Sequence, residues 1–243
     1  MRTPLGGLTL DALHVWSILL SQSDDVVHAL EEHLSMDEIR RADRYRQERD
    51  RSRYIVAHGA LRELLADYMA QTPRDISFGH TATGKPFLID KGGEQRLRFN
   101  LSHSEEWALV GLALSTEVGI DIEQIDPEVS IEAIAERFFS RSEFEALRKV
   151  PFEQRRTAFF SAWTRKEAYV KARGEGIADR LRNFSVSVDP ERSAILLTDS
   201  IDASATLHWR IYNLHIIPNY AAAVAAEGTT HQIHMMRWTH PLF

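Results

Sequence analysis

The sequence predicts an α+β protein made of two similar halves in a pseudo-twofold arrangement, residues 1–118 and 119–243. Three observations point there. A long helical pattern followed by strand-like runs occurs twice, first over residues 35–122 and again over 130–226. No low-complexity linker separates the two, so the halves are expected to pack tightly. The 243 residues, 44% of them hydrophobic, suffice for one large core or two smaller ones.

Taken in order, residues 12–20 carry Val15, Trp16, Ile18 and Leu20 in loose alternation and suit a first strand. Ser35 and Glu38 have capping-box spacing and open an arginine-dense stretch. That stretch runs into Tyr54, Leu61, Leu64, Leu65 and Tyr68, a long amphipathic helix. Gly84-Lys85-Pro86 reads as a turn, and residues 97–101 and 107–114 as two strands joined by a polar loop, Ser102-His103-Ser104. Residues 118–122 form a further strand.

The second half follows the same order. Helical patterns cover residues 130–138, 141–149 and 152–172, the last stopped by Gly174 and Gly176, as helix C-termini prefer. Ser140 and Glu143 have capping-box spacing, a structural feature. Strand-like runs follow at 184–188, 194–197, 206–214 and 220–226. A site between the halves is expected, since ligand pockets favour such junctions.

Composition excludes several classes. There is no cysteine, hence no disulfide, thiolate metal site or cysteine nucleophile. A net charge of -6 argues against wholesale nucleic-acid binding. The N-terminal residues lack an apolar signal core and the longest apolar runs are too short to span a bilayer, so a cytoplasmic protein without membrane contact is expected.

Asp121 and Glu123 alternate with Ile120 and Ile122, which puts both acids on one face of a strand, roughly 6–7 Å apart at the backbone. Two such carboxylates can share a hard cation such as Mg2+ together with substrate phosphates; a solvated strand edge is the competing reading. Trp163, Glu167 and Lys171 fall four apart on one helical face. Glu167 can complete a metal site or take a proton while Lys171 meets a phosphate; an ordinary Glu–Lys helix pair is the competing reading. His103 and Ser102 are candidates to contact phosphate at a strand end. The arginines between residues 40 and 53 are interleaved with Asp43, Glu48 and Asp50 and read mainly as a solvated face.

These segments occur in one order: Gly84-Lys85-Pro86, Phe99-Asn100-Leu101-Ser102-His103-Ser104, Gly119-Ile120-Asp121-Ile122-Glu123, Phe139-Ser140 with Glu143, and Trp163-Thr164-Arg165-Lys166-Glu167-Ala168 with Lys171. Together they resemble the signature of 4′-phosphopantetheinyl transferases of the surfactin-synthetase-activating type. The resemblance implies coenzyme A bound between the halves, nucleotide contacts in residues 1–118 and the metal site in 119–243. It implies Mg2+ on Asp121, Glu123 and Glu167, Lys171 on the phosphates, and Lys85, Ser102 and His103 at the nucleotide end, assisted by Arg41 and Arg53. The implied reaction moves phosphopantetheine to a serine of an apo acyl or peptidyl carrier protein, with Glu167 and Lys171 as catalytic groups and 3′,5′-ADP as product. One departure is visible: Glu38 stands where the family often has a lysine. A monomer is expected, because the two halves form one site. The same acids would also suit an Mg2+-dependent nucleotide pyrophosphohydrolase, and the same pocket a non-catalytic coenzyme A or carrier-binding protein.

Overall fold

The computed structural model of the chain describes residues 7–89, 97–176, 180–190, 192–229 and 231–240. The first half runs β1 (Ala12–Leu19), α1 (Asp24–Glu31), α2 (Met36–Ala42), α3 (Glu48–Met69), β2 (Phe78–His80), β3 (Pro86–Leu88), β4 (Leu97–Ser104) and β5 (Trp107–Leu114). Next come β6 (Val118–Gln124), α4 (Ile131–Phe138), α5 (Arg141–Lys149) and α6 (Phe152–Arg173). The chain continues through β7 (Phe184–Val186), β8 (Leu196–Asp199), α7 (Ala205–His208), β9 (Trp209–Asn213), β10 (Tyr220–Glu227) and β11 (Gln232–Arg237).

Helix α3 and helix α6 are each 22 residues long, and each buries one face on a sheet. The first sheet has the order β11-β1-β5-β4 and the second β6-β10-β9. Ile18, Ile55, Leu65 and Leu112 fill the space between α3 and the first sheet, while Phe159, Tyr169, Ile211 and Ala223 do so between α6 and the second. Leu13, Val15, Leu109, Ile120, Ile122 and Val224 form a third cluster between the sheets. The layers are therefore helix, sheet, sheet, helix, an α+β architecture in which the helix–sheet unit occurs twice.

Strand β6 divides its residues between two of these cores. Val118, Ile120 and Ile122 enter the inter-sheet cluster, which leaves Gly119, Asp121 and Glu123 on the α6 side. Gly119 makes that packing possible: a Cβ there would lie 2.2 Å from the Ala168 carbonyl oxygen and 2.2 Å from the Ala172 nitrogen.

Both capping boxes form, Ser35 with Glu38 on α2 and Ser140 with Glu143 on α5. Helix α6 ends at Gly174 in the left-handed conformation, φ 64°, where a glycine carries no Cβ strain. Two sequence expectations need correction. Ser102-His103-Ser104 is not a loop but the end of β4, because the ladder to β5 continues through Ser104↔Trp107 and the chain reverses at Glu105, φ 48°. The single strand expected over residues 206–214 is a helical turn, α7, followed by β9; Asp202 and Ser204 bond locally and start the turn. Helix α1, the β2–β3 hairpin and β11 went unassigned. Strand β11 returns from the second half to pair in parallel with β1, Ala12↔Gln232 to Ser17↔Arg237. No described helix is long and apolar enough to cross a membrane.

Candidate active site

The site forms where β4, β6 and α6 meet. Lys171, one turn beyond Glu167 on α6, reaches across to β6 and donates to Asp121 Oδ1 at 2.5 Å. Ser102 on β4 donates to the same oxygen at 2.9 Å and accepts from Lys171 Nζ at 3.0 Å. Asp121 is 2% exposed, and its other oxygen, Oδ2, is buried with no hydrogen-bond partner among the described residues. Ser104 donates to Glu123 Oε2 at 3.0 Å. Glu167 is buried beside them.

Crowding three carboxylates in a dry place sets the electrostatics. Desolvation, and then the charge of Asp121, push Glu123 up to about 7, although Ser104, Lys171 and Trp163 oppose this. Glu167 is pushed up to about 7 by the same two causes in the same order. Desolvation lowers Lys171, but Asp121, Glu167 and Glu123 outweigh it and hold the ammonium above its ordinary value. One lysine faces three acids, so the cluster has an uncompensated affinity for positive charge.

A cationic rim adjoins the acids. His103 on β4 is held below its ordinary value by desolvation and then by the charges of Lys171, Arg53 and Arg41. Arg53 on α3 pairs with Glu105 at 3.1 Å, while Arg41 on α2 stands over the Tyr54 ring at 5.9 Å. Arg41, Tyr54, His58 and Leu101 line a cavity of about 520 Å³ in the first half. The two arginines belong to different helices, which their sequence neighbourhood alone did not separate.

Two expected contacts have other partners here. Lys85 gives its three ammonium hydrogens to Glu117 at 2.7 Å, the Ala172 carbonyl at 2.7 Å and the Val118 carbonyl at 3.3 Å. The last carbonyls of α6 attract a cation, so in this conformation Lys85 ties the halves together. Ser102 is turned into the acid cluster because β4 continues through it. Glu38 is a structural residue: it accepts from Arg62 Nε at 2.9 Å and closes the α2 capping box. Against desolvation, the hydrogen bonds from Arg62 and Ser35 keep its carboxyl below the ordinary range.

Motif residues between Trp163 and Glu167 serve the fold. Arg165, with no exposed surface, donates to Asn213 and to the backbone oxygens of Ser187 and Asp189. Lys166 is paired with Glu143 at 2.7 Å in a fully buried bridge. Sequence reasoning passed over Asn100 and Ser104; the available signal was a polar side chain at every second position of β4.

Residues 117–225 match the profile of the 4′-phosphopantetheinyl transferase superfamily, and residues 20–115 match a profile described as 4′-phosphopantetheinyl transferase, N-terminal. The chain is 38% identical over 221 residues to the 4′-phosphopantetheinyl transferase HetI of Nostoc sp., covering 91% of this chain and 90% of that protein. The chain belongs to the 4′-phosphopantetheinyl transferase family. Other relatives of this transferase are psf-1 of Bacillus pumilus, 31% identical over 88% of this chain and 90% of that protein, and Sfp of Bacillus subtilis, 28% identical over 75% and 77%. The 4′-phosphopantetheinyl transferase is thus an enzyme, and its two profile matches meet at residues 115–117, on the approach to the strand that carries Asp121.

Proposed function

We propose that this transferase takes the 4′-phosphopantetheine of coenzyme A, with Mg2+ bound, and attaches it to a serine of an apo acyl or peptidyl carrier protein, releasing 3′,5′-ADP. The observation that carries the reading is the convergence of Asp121, Glu123, Glu167 and Lys171 beside the cations Arg41 and Arg53 and the imidazole of His103.

The donor set fits Mg2+. All three acids offer hard oxygens, Asp121 Oδ2 is buried without a hydrogen-bond partner among the described residues, and all three carry raised proton affinity that a divalent cation would relieve. As the side chains stand, no three of the described acids and histidines are arranged to hold a metal ion together. Mg2+ is commonly held by one or two carboxylates and would complete its shell with water and phosphate. Bound there, Mg2+ would neutralise pyrophosphate charge.

The chain's own groups account for the remainder. Arg41, Arg53 and His103 bind the nucleotide phosphates; Lys85 and Ser102 stand at the seam beside them. The carrier serine Oγ forms a bond to the phosphorus on the pantetheine side of the pyrophosphate, and the bond from that phosphorus to the 3′,5′-ADP oxygen breaks. Glu167, directly or through a bridging water, takes the serine proton. Lys171 stabilises the charge gathering on the leaving phosphate. Such catalysis rests on positioning and charge, with little covalent work by the protein.

The test is the intact mass of apo acyl and peptidyl carrier proteins after incubation with the enzyme, coenzyme A and Mg2+. The expected result is a gain of one phosphopantetheine, lost when EDTA is present, with one 3′,5′-ADP per transfer. Release of 3′,5′-ADP without any carrier, or transfer that EDTA leaves untouched, would count against the reading.

A further inference from the structure

Strands β4 and β6 lie side by side, yet they belong to different sheets. Strand β6 pairs with β10 on one side, and among the described residues no backbone ladder joins it to β4 on the other. The links across this junction are side chains. Asn100 Oδ1 accepts from the Ile120 N–H at 2.8 Å, Ser102 donates to Asp121 at 2.9 Å, and Ser104 donates to Glu123 at 3.0 Å. The three sit at every second position of β4, so one face of one strand provides all of them.

Ser104 does more than touch Glu123. Its Oγ also accepts from the Gln124 N–H at 3.1 Å. A backbone N–H can only donate and an ionised carboxylate can only accept, so the hydroxyl proton must lie toward Glu123. The serine therefore fixes two things at once, the backbone just beyond Glu123 and one carboxylate oxygen. It is itself anchored: Ser104 is the last residue of β4, paired with Trp107 across the turn.

We propose that Ser104 is a positioning residue that aims Glu123 at the metal, so that the affinity of a site on the second half is set from the first half. The inference rests on the reading of Asp121, Glu123 and Glu167 as Mg2+ ligands. Hydrogen bonds to metal-ligating carboxylates commonly govern metal affinity by tenfold or more.

The test uses the full chain with coenzyme A bound and no carrier protein, and follows free Mn2+ by electron paramagnetic resonance during a metal titration. Ser104→Val and Ser104→Thr are compared because both are β-branched and suit a strand end, and only threonine keeps the hydroxyl. Ser104→Val is expected to raise the Mn2+ dissociation constant about tenfold, and Ser104→Thr to restore it to within about twofold of wild type. Ser104→Val also loses the bond from the Gln124 N–H, so its thermal midpoint should lie below that of Ser104→Thr, and the positioning role is read from the metal affinity of the folded protein. In turnover, Ser104→Val should be slow at limiting Mg2+ and recover as Mg2+ is raised. Equal Mn2+ affinity for the two variants overturns the role of Ser104 and leaves the metal reading standing. If the wild-type complex takes up no Mn2+ beyond that bound by coenzyme A alone, the metal reading falls and this inference with it.

Discussion

Lys171 Nζ lies 2.5 Å from Asp121 Oδ1, and the hydroxyl of Ser102 bonds to both. Fifty residues separate the acid from the base in sequence, and three elements must arrive together for the pair to form. The bond leaves Asp121 Oδ2 buried and without a hydrogen-bond partner among the described residues. Charge, hydration and geometry of the site are therefore linked through this one contact.

Replacing Asp121 by asparagine keeps the shape and removes the charge. Transfer should fall by about 10²–10³-fold, the scale for removing one preorganised electrostatic group. The Lys171 side chain is 25% exposed, so its ammonium can reach water and the fold should survive at a cost of about 1–3 kcal/mol. Steady-state kcat/KM and circular-dichroism melting measure the two. Near-wild-type turnover in this variant would remove Asp121 from the site.

Proton and metal should compete. Glu123 and Glu167 have folded values near 7, raised from 4.5, so between those limits the folded protein holds more protons than the unfolded chain. Stability contributed by these groups is complete below about pH 4.5 and is lost as pH rises through 7, on the order of 2–3 kcal/mol for Glu167. Mg2+ binding offsets that loss, so its stabilising shift in melting temperature should be larger at pH 8 than at pH 6. A shift independent of pH, or equal in the Glu167→Gln variant, argues against the acids as ligands.

Gly119→Ala tests how closely β6 must approach α6. The new methyl would meet the backbone of Ala168 and Ala172 at 2.2 Å, and backbone cannot step aside as a side-chain tip can. The strand must move, with a stability loss of about 1–3 kcal/mol and displacement of Asp121 from Lys171. Activity is expected to drop by more than the stability change accounts for, as read from transfer rates well below the melting temperature.

Glu143→Ala should destabilise the protein and leave the site chemistry alone. Glu143 is 1% exposed, accepts from Lys166 and from the backbone of Val186 and Ser140, and among the described residues is the one carboxylate paired with that fully buried ammonium. Stranding the lysine costs about 3–5 kcal/mol. Denaturant unfolding measures it, and the combined Glu143→Leu, Lys166→Met variant should recover much of the loss. Metal affinity of whatever fraction remains folded should match wild type.

The sequence carried a good part of this. The alternation at Gly119, Asp121 and Glu123 places the acids on one strand face, and the spacing of Trp163, Glu167 and Lys171 marks one helix face; both hold in the structure. The two capping boxes and the Gly174 stop were legible too, because each depends on bonds within one turn of chain. Less legible were α1, whose capping serine makes no side-chain bond, and β11, an edge strand with mostly exposed residues and so a weak hydrophobic pattern.

Sequence by itself determined which side chains share a face and, through the order of its motifs, the family. Only the tertiary structure decided what those faces meet. Ser102 joins Asp121 and Lys171 rather than standing in a loop; Lys85 spans to Ala172; Arg165 and Lys166, in the middle of the strongest motif, hold the fold; and Ser104 clamps Glu123. The physical reason is range. Periodicity fixes direction over a few residues, because backbone geometry repeats, whereas contacts between β4, β6 and α6 depend on sheet order and on how two sheets and a helix pack, which no local spacing encodes.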